Sequence, residues 1–169
     1  MPIWNKEAEC GALEARRQAQ LEELQKTVER VYSRVPFYRN KLDEKGVRPD
    51  DIRCLKDIAK LPFTTKYELR ETYPYGLLAC AREDLVEIHT SSGTTGTPVV
   101  GAYTQNVIAL WSEIMDRTLA MAGCEKGDTV QNAFGYGMFT GGFGVHYGVR
   151  RIGANMIPIS AGNTRRQLH

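Results

Sequence analysis

The sequence predicts an α/β fold. Residues 1–75 form a helical N-terminal region, and residues 76–169 form part of a mostly parallel sheet with flanking helices. Three observations carry this reading. Leu13, Leu21, Leu24, Val28, Val31 and Val35 fall mostly at three- and four-residue steps among charged neighbours, the period of an amphipathic helix. From Leu85 onward, short strand-like runs alternate with helical patterns, and such alternation argues a largely parallel sheet with crossover helices. Glycines and prolines stand at the joints between these runs.

The elements follow in order. One long helix is expected over residues 6–34. Pro36 ends it, because proline lacks a donor and restricts the residue before it. Phe37 to Leu42 forms a short apolar-faced turn or helix, closed by Gly46. A second helical piece is expected from Ile52 to Ala59. Thr64 or Thr65 then caps a short helix with Glu68 as acidic partner, and Tyr73-Pro74-Tyr75-Gly76 stops it. Val86–Thr90 and Val99–Tyr103 read as strands. Residues 104–122 are helical, ended by Gly123. A strand over Thr129–Phe134, a helix over Gly144–Ile152 and a strand over Asn155–Ile159 complete the pattern.

The chain is organised around Ser91-Ser92-Gly93-Thr94-Thr95-Gly96-Thr97-Pro98, between the first two strands. Two glycines let the backbone turn tightly and approach an anion, and the five hydroxyls of Ser91, Ser92, Thr94, Thr95 and Thr97 add donors. Hydrogen bonds to a charged group contribute roughly 1.5–3 kcal/mol each, so a few can hold a triphosphate. The stretch is not a Walker A loop, since no lysine follows the second glycine and the continuation is strand-like. A ligand-free hairpin turn fits the composition equally well. The second informative stretch is Gly135-Tyr136-Gly137-Met138-Phe139-Thr140-Gly141-Gly142-Phe143-Gly144, after a strand and before a helix. In an open α/β sheet, ligands bind at that position. Tyr136, Phe139 and Phe143 offer apolar walls, or they simply return to the core.

Composition excludes several classes. With 22 Lys and Arg against 20 Asp and Glu, the net charge of +2 gives no electrostatic case for nucleic acid. No apolar run approaches a membrane span, and the N-terminus has no signal-peptide pattern. Cys10, Cys54, Cys80 and Cys124 are scattered, which fits reduced thiols in a cytoplasmic protein and no zinc site. His89 and His146 have no Ser or Cys nucleophile placed beside them in a recognisable motif. His89 directly precedes the loop and suits a positioning role, whereas His146 reads as a core histidine.

Ser-Ser-Gly-Thr-Thr-Gly-x-Pro resembles the phosphate-binding signature of the adenylate-forming enzymes. Val35-Pro36-Phe37-Tyr38, Leu61-Pro62-Phe63-Thr64-Thr65-Lys66 and Gly135 to Gly148 are similar to the phenylacetate–CoA ligases, as are Arg151–Ala154 and Ile157–Thr164. The resemblance covers nearly the entire chain, which would then be an incomplete piece of the large domain of those enzymes. It implies ATP-dependent ligation of an aryl-acetic acid to coenzyme A through an acyl adenylate, with Mg²⁺. By resemblance, Ser91, Ser92, Gly93, Thr94, Thr95 and Gly96 hold ATP phosphates, and Tyr136, Gly137, Phe139 and Gly141 line the acyl site. Thr97 stands where family members often carry lysine, so the loop offers a hydroxyl in place of a mobile charge.

The sequence closes on Thr164-Arg165-Arg166-Gln167, a capping-box pattern with Asn163 or Thr164 as N-cap, within about a turn of His169. An N-terminal fragment is therefore expected. The resemblance places the adenine and ribose motifs, the acidic Mg²⁺ residue and the adenylating lysine beyond residue 169. No catalytic residue and no metal ligand is assigned within the chain. Small-molecule substrates are the expected partners, and an exposed sheet edge favours a homodimer. A related aryl-acid or cofactor synthetase, or a non-catalytic nucleotide-binding module, are the alternatives.

Overall fold

A computed structural model describes residues 3–93, 96–138, 140–162 and 164–168. The expected single helix over 6–34 is two helices, α1 (Lys6–Cys10) and α2 (Leu13–Arg34). Gly11 breaks it by taking an extended ψ of 150°. A Cβ at Gly11 would lie 2.6 Å from the Glu7 carbonyl oxygen, so the chain can turn there only without a side chain. The side chain of Asn5 caps α1 by accepting from Ala8 N–H. Its Nδ2 also reaches Glu113 Oε1 at 2.9 Å, tying this first turn to a helix far along the chain.

Pro36 both ends α2 and opens α3 (Pro36–Glu44), where the missing N–H costs nothing at the first helical turn. Val35, between them, is fully buried. Val28 of α2, Leu42 of α3, Val47 and Ile52 form one small core, with Leu24, Tyr32 and Leu61 against it. The helical piece expected at 52–59 is instead two 3₁₀ turns, Pro49–Asp51 and Leu55–Lys60. The Asp57 carboxylate takes the N–H groups of Arg53 and Cys54 at 2.8 and 2.9 Å, which anchors the second of them. Thr65 then caps α4 (Lys66–Glu71) in a reciprocal box with Glu68. Glu68 also pairs with Lys41 of α3.

The second half departs from the expected sheet. β1 (Leu85–Thr90) and β2 (Val100–Thr104) pair antiparallel, with Thr90 opposite Val100 and Ile88 opposite Ala102. The reason is chain length: a parallel crossover needs a dozen or more residues, and the loop between them, 91–99, is shorter. Parallel pairing appears in the second sheet, where β3 (Thr129–Gln131) lies beside β4 (Asn155–Ile157). Both strands are shorter than their sequence patterns. Between them runs α6 (Thr140–Ile152), which begins four residues before the expected Gly144.

Helix α5 (Gln105–Met121) packs along α6. The approach is close because α6 presents glycines. A Cβ at Gly144 would fall 2.7 Å from the Trp111 indole nitrogen, and one at Gly148 would fall 2.8 Å from Met115 Cβ. Asp116 of α5 is fully buried and pairs with Arg151 Nε of α6 at 2.6 Å. Burial pushes the Asp116 carboxyl above its ordinary range, and the arginine pulls the other way. A last turn, α7 (Thr164–Gln167), is held by Gln167 Nε2 donating to the Ser160 carbonyl at 3.1 Å. Asn163, the alternative cap, lies outside the described residues.

Candidate functional site

The turn that joins β1 to β2 is built from the base upward. Ser91 N–H donates to the Val99 carbonyl at 2.9 Å, and Val99 N–H donates to Ser91 Oγ at 2.9 Å. The serine side chain is thus a clasp at the root of the loop, and its own O–H proton takes no part in that bond. Gly93 sits at φ 64° and Gly96 at φ 121°, and Gly96 N–H closes onto the Gly93 carbonyl at 3.0 Å. A φ of 121° is open only to glycine without strain. Ser92 and Thr97 are exposed beside them, and Thr94 and Thr95, both expected phosphate donors, lie outside the described residues.

The glycine-aromatic segment is folded over this root. Thr90 N–H donates to the Met138 carbonyl at 3.1 Å. Asn132, only 4 % exposed, holds the segment's other end. Its Nδ2 donates to the Gly142 carbonyl at 2.8 Å and to the Tyr136 hydroxyl at 2.9 Å, and its Oδ1 accepts from Phe134 N–H at 3.1 Å. Tyr136 therefore points inward. Its hydroxyl also meets His146 Nδ1 at 3.2 Å, and its ring stands edge-on to Phe143. Gly137 is exposed. Phe139 lies outside the described residues.

A cleft of about 650 Å³ opens where loop and segment meet. Its walls are His89, Thr90, Ser91 and Val99 at the loop root, Gly101 and Tyr103 on β2, and Phe134, Thr140 and Gly141 across from them. Of the residues expected to bind ligand, Ser91 and Gly141 share this cleft, whereas Tyr136 and Gly137 are not among its lining residues. The tyrosine's wall position is taken by Phe134 and Tyr103.

Behind the cleft lies an arrangement that sequence reading missed. Glu87 and His89 share the inner face of β1, being two residues apart on a strand. The carboxylate of Glu87 accepts from the Tyr147 hydroxyl and meets His89 Nε2. His89 is 3 % exposed and packs edge-on against Tyr103, Trp111 and Phe143. Burial, then the bond to Glu87, pushes the Tyr147 phenol well up, so it stays protonated and donates. Burial also raises the Tyr103 phenol, with the Glu87 charge adding to it. The available signal was the Glu-x-His alternation on a strand; the tyrosine, 60 residues on, carried none.

No family model matches the chain. Among curated proteins, it is 48% identical over 160 residues to the phenylacetate–coenzyme A ligase of Pseudomonas putida, covering 95% of this chain. The chain is a relative of the phenylacetate–coenzyme A ligases. The ligase of Thermus thermophilus is 46% identical over 166 residues, 98% of this chain. The chain spans 36% and 37% of the length of these two relatives. Among solved structures, an open conformation of 2-hydroxyisobutyryl-CoA ligase in complex with 2-HIB-AMP and CoA superposes with a TM-score of 0.87 at 26% identity, over 95% of this chain and 38% of that one. The same ligase in its thioesterification state superposes with a TM-score of 0.88 at 27% identity, over 95% of this chain and 35% of that one. The mixed helix and strand arrangement here is thus a portion of an acyl-CoA ligase fold.

Magnesium takes oxygen ligands, with carboxylates as its usual protein anchors. Among the described residues no group of three or more His, Cys, Asp or Glu is placed to hold a metal. No carboxylate is among the described residues that line the cleft, so a magnesium ion there would be held through substrate phosphates. What the arrangement offers is hydrogen-bond donors at a tight, glycine-shaped turn, next to an apolar-walled cleft. That combination suits an anion joined to an aromatic or aliphatic body. Among the described residues, no helix is long and apolar enough to cross a membrane.

Proposed function

We propose that this chain is the phosphate-loop and acyl-pocket portion of a ligase that joins phenylacetate to coenzyme A at the expense of ATP. In the first step a carboxylate oxygen attacks the α-phosphorus, the bond to pyrophosphate breaks, and an acyl adenylate forms. In the second the thiol of coenzyme A loses its proton and attacks the acyl carbon, and AMP leaves. The observation that carries this reading is that Ser91, at the root of the loop, lines the same cleft as Gly141, in a chain 48% identical to a phenylacetate–coenzyme A ligase. Ser91, Ser92, Gly93, Thr94, Thr95 and Gly96 hold the ATP phosphates. Gly141, with Tyr136, Gly137 and Phe139 of the same segment, serves the acyl group. Such chemistry asks the protein for positioning and charge stabilisation more than for covalent help. Magnesium, when bound, would screen the triphosphate. Residues 1–75 serve as a helical buttress and 76–169 as the ligand-bearing portion, in a cytoplasmic protein that pairs as a homodimer.

Calorimetric titration of ATP into the chain tests the loop. Wild type is expected to bind, and Gly96→Val, which forces a branched side chain to φ 121°, to bind about tenfold or more weakly. No binding by wild type would overturn the reading. The chain by itself is expected to make little or no phenylacetyl-CoA, and appreciable thioester formation would overturn the assignment of the catalytic groups to segments beyond residue 169.

A further inference from the structure

We propose that His89 is a positioning residue for this reaction, one that registers the acyl-side segment against the root of the phosphate loop. The inference rests on the function proposed above. Met138, in the middle of that segment, is 57 % exposed, so burial does little to hold it. Hydrogen bonds hold it instead, among them Thr90 Oγ1 donating to its sulfur at 3.6 Å. Its carbonyl accepts from Thr90 N–H at 3.1 Å and meets His89 Nδ1 at 3.2 Å. Both partners immediately precede Ser91, the clasp of the phosphate loop. The Met138 carbonyl is thus the tie between the two walls of the cleft.

The hydrogen bonds also determine where the protons sit. A carbonyl only accepts, so His89 carries a proton on Nδ1. Its Nε2 faces Glu87, whose other oxygen accepts from Tyr147. Three aromatic rings leave the imidazole no room to swing. The result is a rigid bracket: Tyr147 on α6 fixes Glu87, Glu87 fixes His89, and His89 fixes Met138.

The test is phenylacetate affinity of the chain in saturating ATP, with ATP affinity measured alongside. Removing a bond of this kind by His89→Ala is expected to weaken phenylacetate binding by about tenfold and ATP binding by far less, because the Ser91–Val99 clasp does not involve the histidine. His89→Asn places an amide N–H where Nδ1–H stood and is expected to recover most of the loss, which a general packing role would not predict. If His89→Ala fails to fold, the Glu87 pair decides: Glu87→Gln, whose amide donates to Nε2 while its oxygen accepts from Tyr147, retains phenylacetate affinity, and Glu87→Ala loses it. Unchanged phenylacetate affinity in His89→Ala overturns the inference. So does a folded His89→Asn as weak as the alanine variant, or equal affinities for Glu87→Gln and Glu87→Ala. Wild type binding ATP but no phenylacetate overturns this inference and spares the loop, whereas wild type binding neither overturns the proposed function with it.

Discussion

Asn132→Ala is expected to destabilise the chain by about 3 kcal/mol, working from three hydrogen bonds at roughly 1 kcal/mol each. Those bonds run to the Gly142 carbonyl, the Tyr136 hydroxyl and Phe134 N–H, from a side chain 4 % exposed. Their loss frees both ends of the segment that roofs the cleft. Asn132→Asp sharpens the argument. It keeps an acceptor for Phe134 N–H but sets an oxygen against the Gly142 carbonyl, acceptor against acceptor. At neutral pH it should cost at least as much as alanine. Protonation restores a donor, so the aspartate's folded pKa lies above its unfolded value near about 3.9. Its stability is then highest below that value and is lost as pH rises through the folded pKa. Urea unfolding followed by far-ultraviolet circular dichroism reads both variants, with the midpoint compared at constant slope. A loss below about 0.5 kcal/mol for alanine, or a pH-independent aspartate variant, would refute the reasoning.

Two further outcomes follow from the same geometry. The Glu68 carboxyl is lowered to about 2, first by Lys41 and then by the N–H and hydroxyl of Thr65, so its contribution is present above its ordinary value of 4.5 and is lost as pH falls toward 2. Glu68→Gln should flatten that acid limb in a pH series of thermal melts; an unchanged limb would place the acid sensitivity elsewhere. Gly148→Val should destabilise by about 3 kcal/mol, because its Cβ starts 2.8 Å from Met115 Cβ and α5 must retreat. A melt within error of wild type would show that the α5–α6 contact yields without strain.

The sequence alone determined what a few adjacent residues encode. The Ser91–Pro98 turn, the Thr65–Glu68 capping box, the stop at Gly123 and the break at Pro36 rest on φ limits and on donors within one turn of chain. The resemblance to the ligases rested on such local strings as well, and the relatives bear it out. The Gly11 break was also local, but a continuous apolar period on both sides concealed it. Tertiary structure alone decided the rest. Antiparallel pairing of β1 with β2 was in principle legible from the short loop, yet the alternation of strands and helices argued the opposite. The inward turn of Tyr136 depended on Asn132 and His146, and the bracket around His89 joined residues 49 and 60 positions apart in sequence. Contacts at such separations leave no period and no spacing in the chain. They form only when α5 and α6 close over the glycines at 144 and 148 and carry Tyr147 to the inner face of β1.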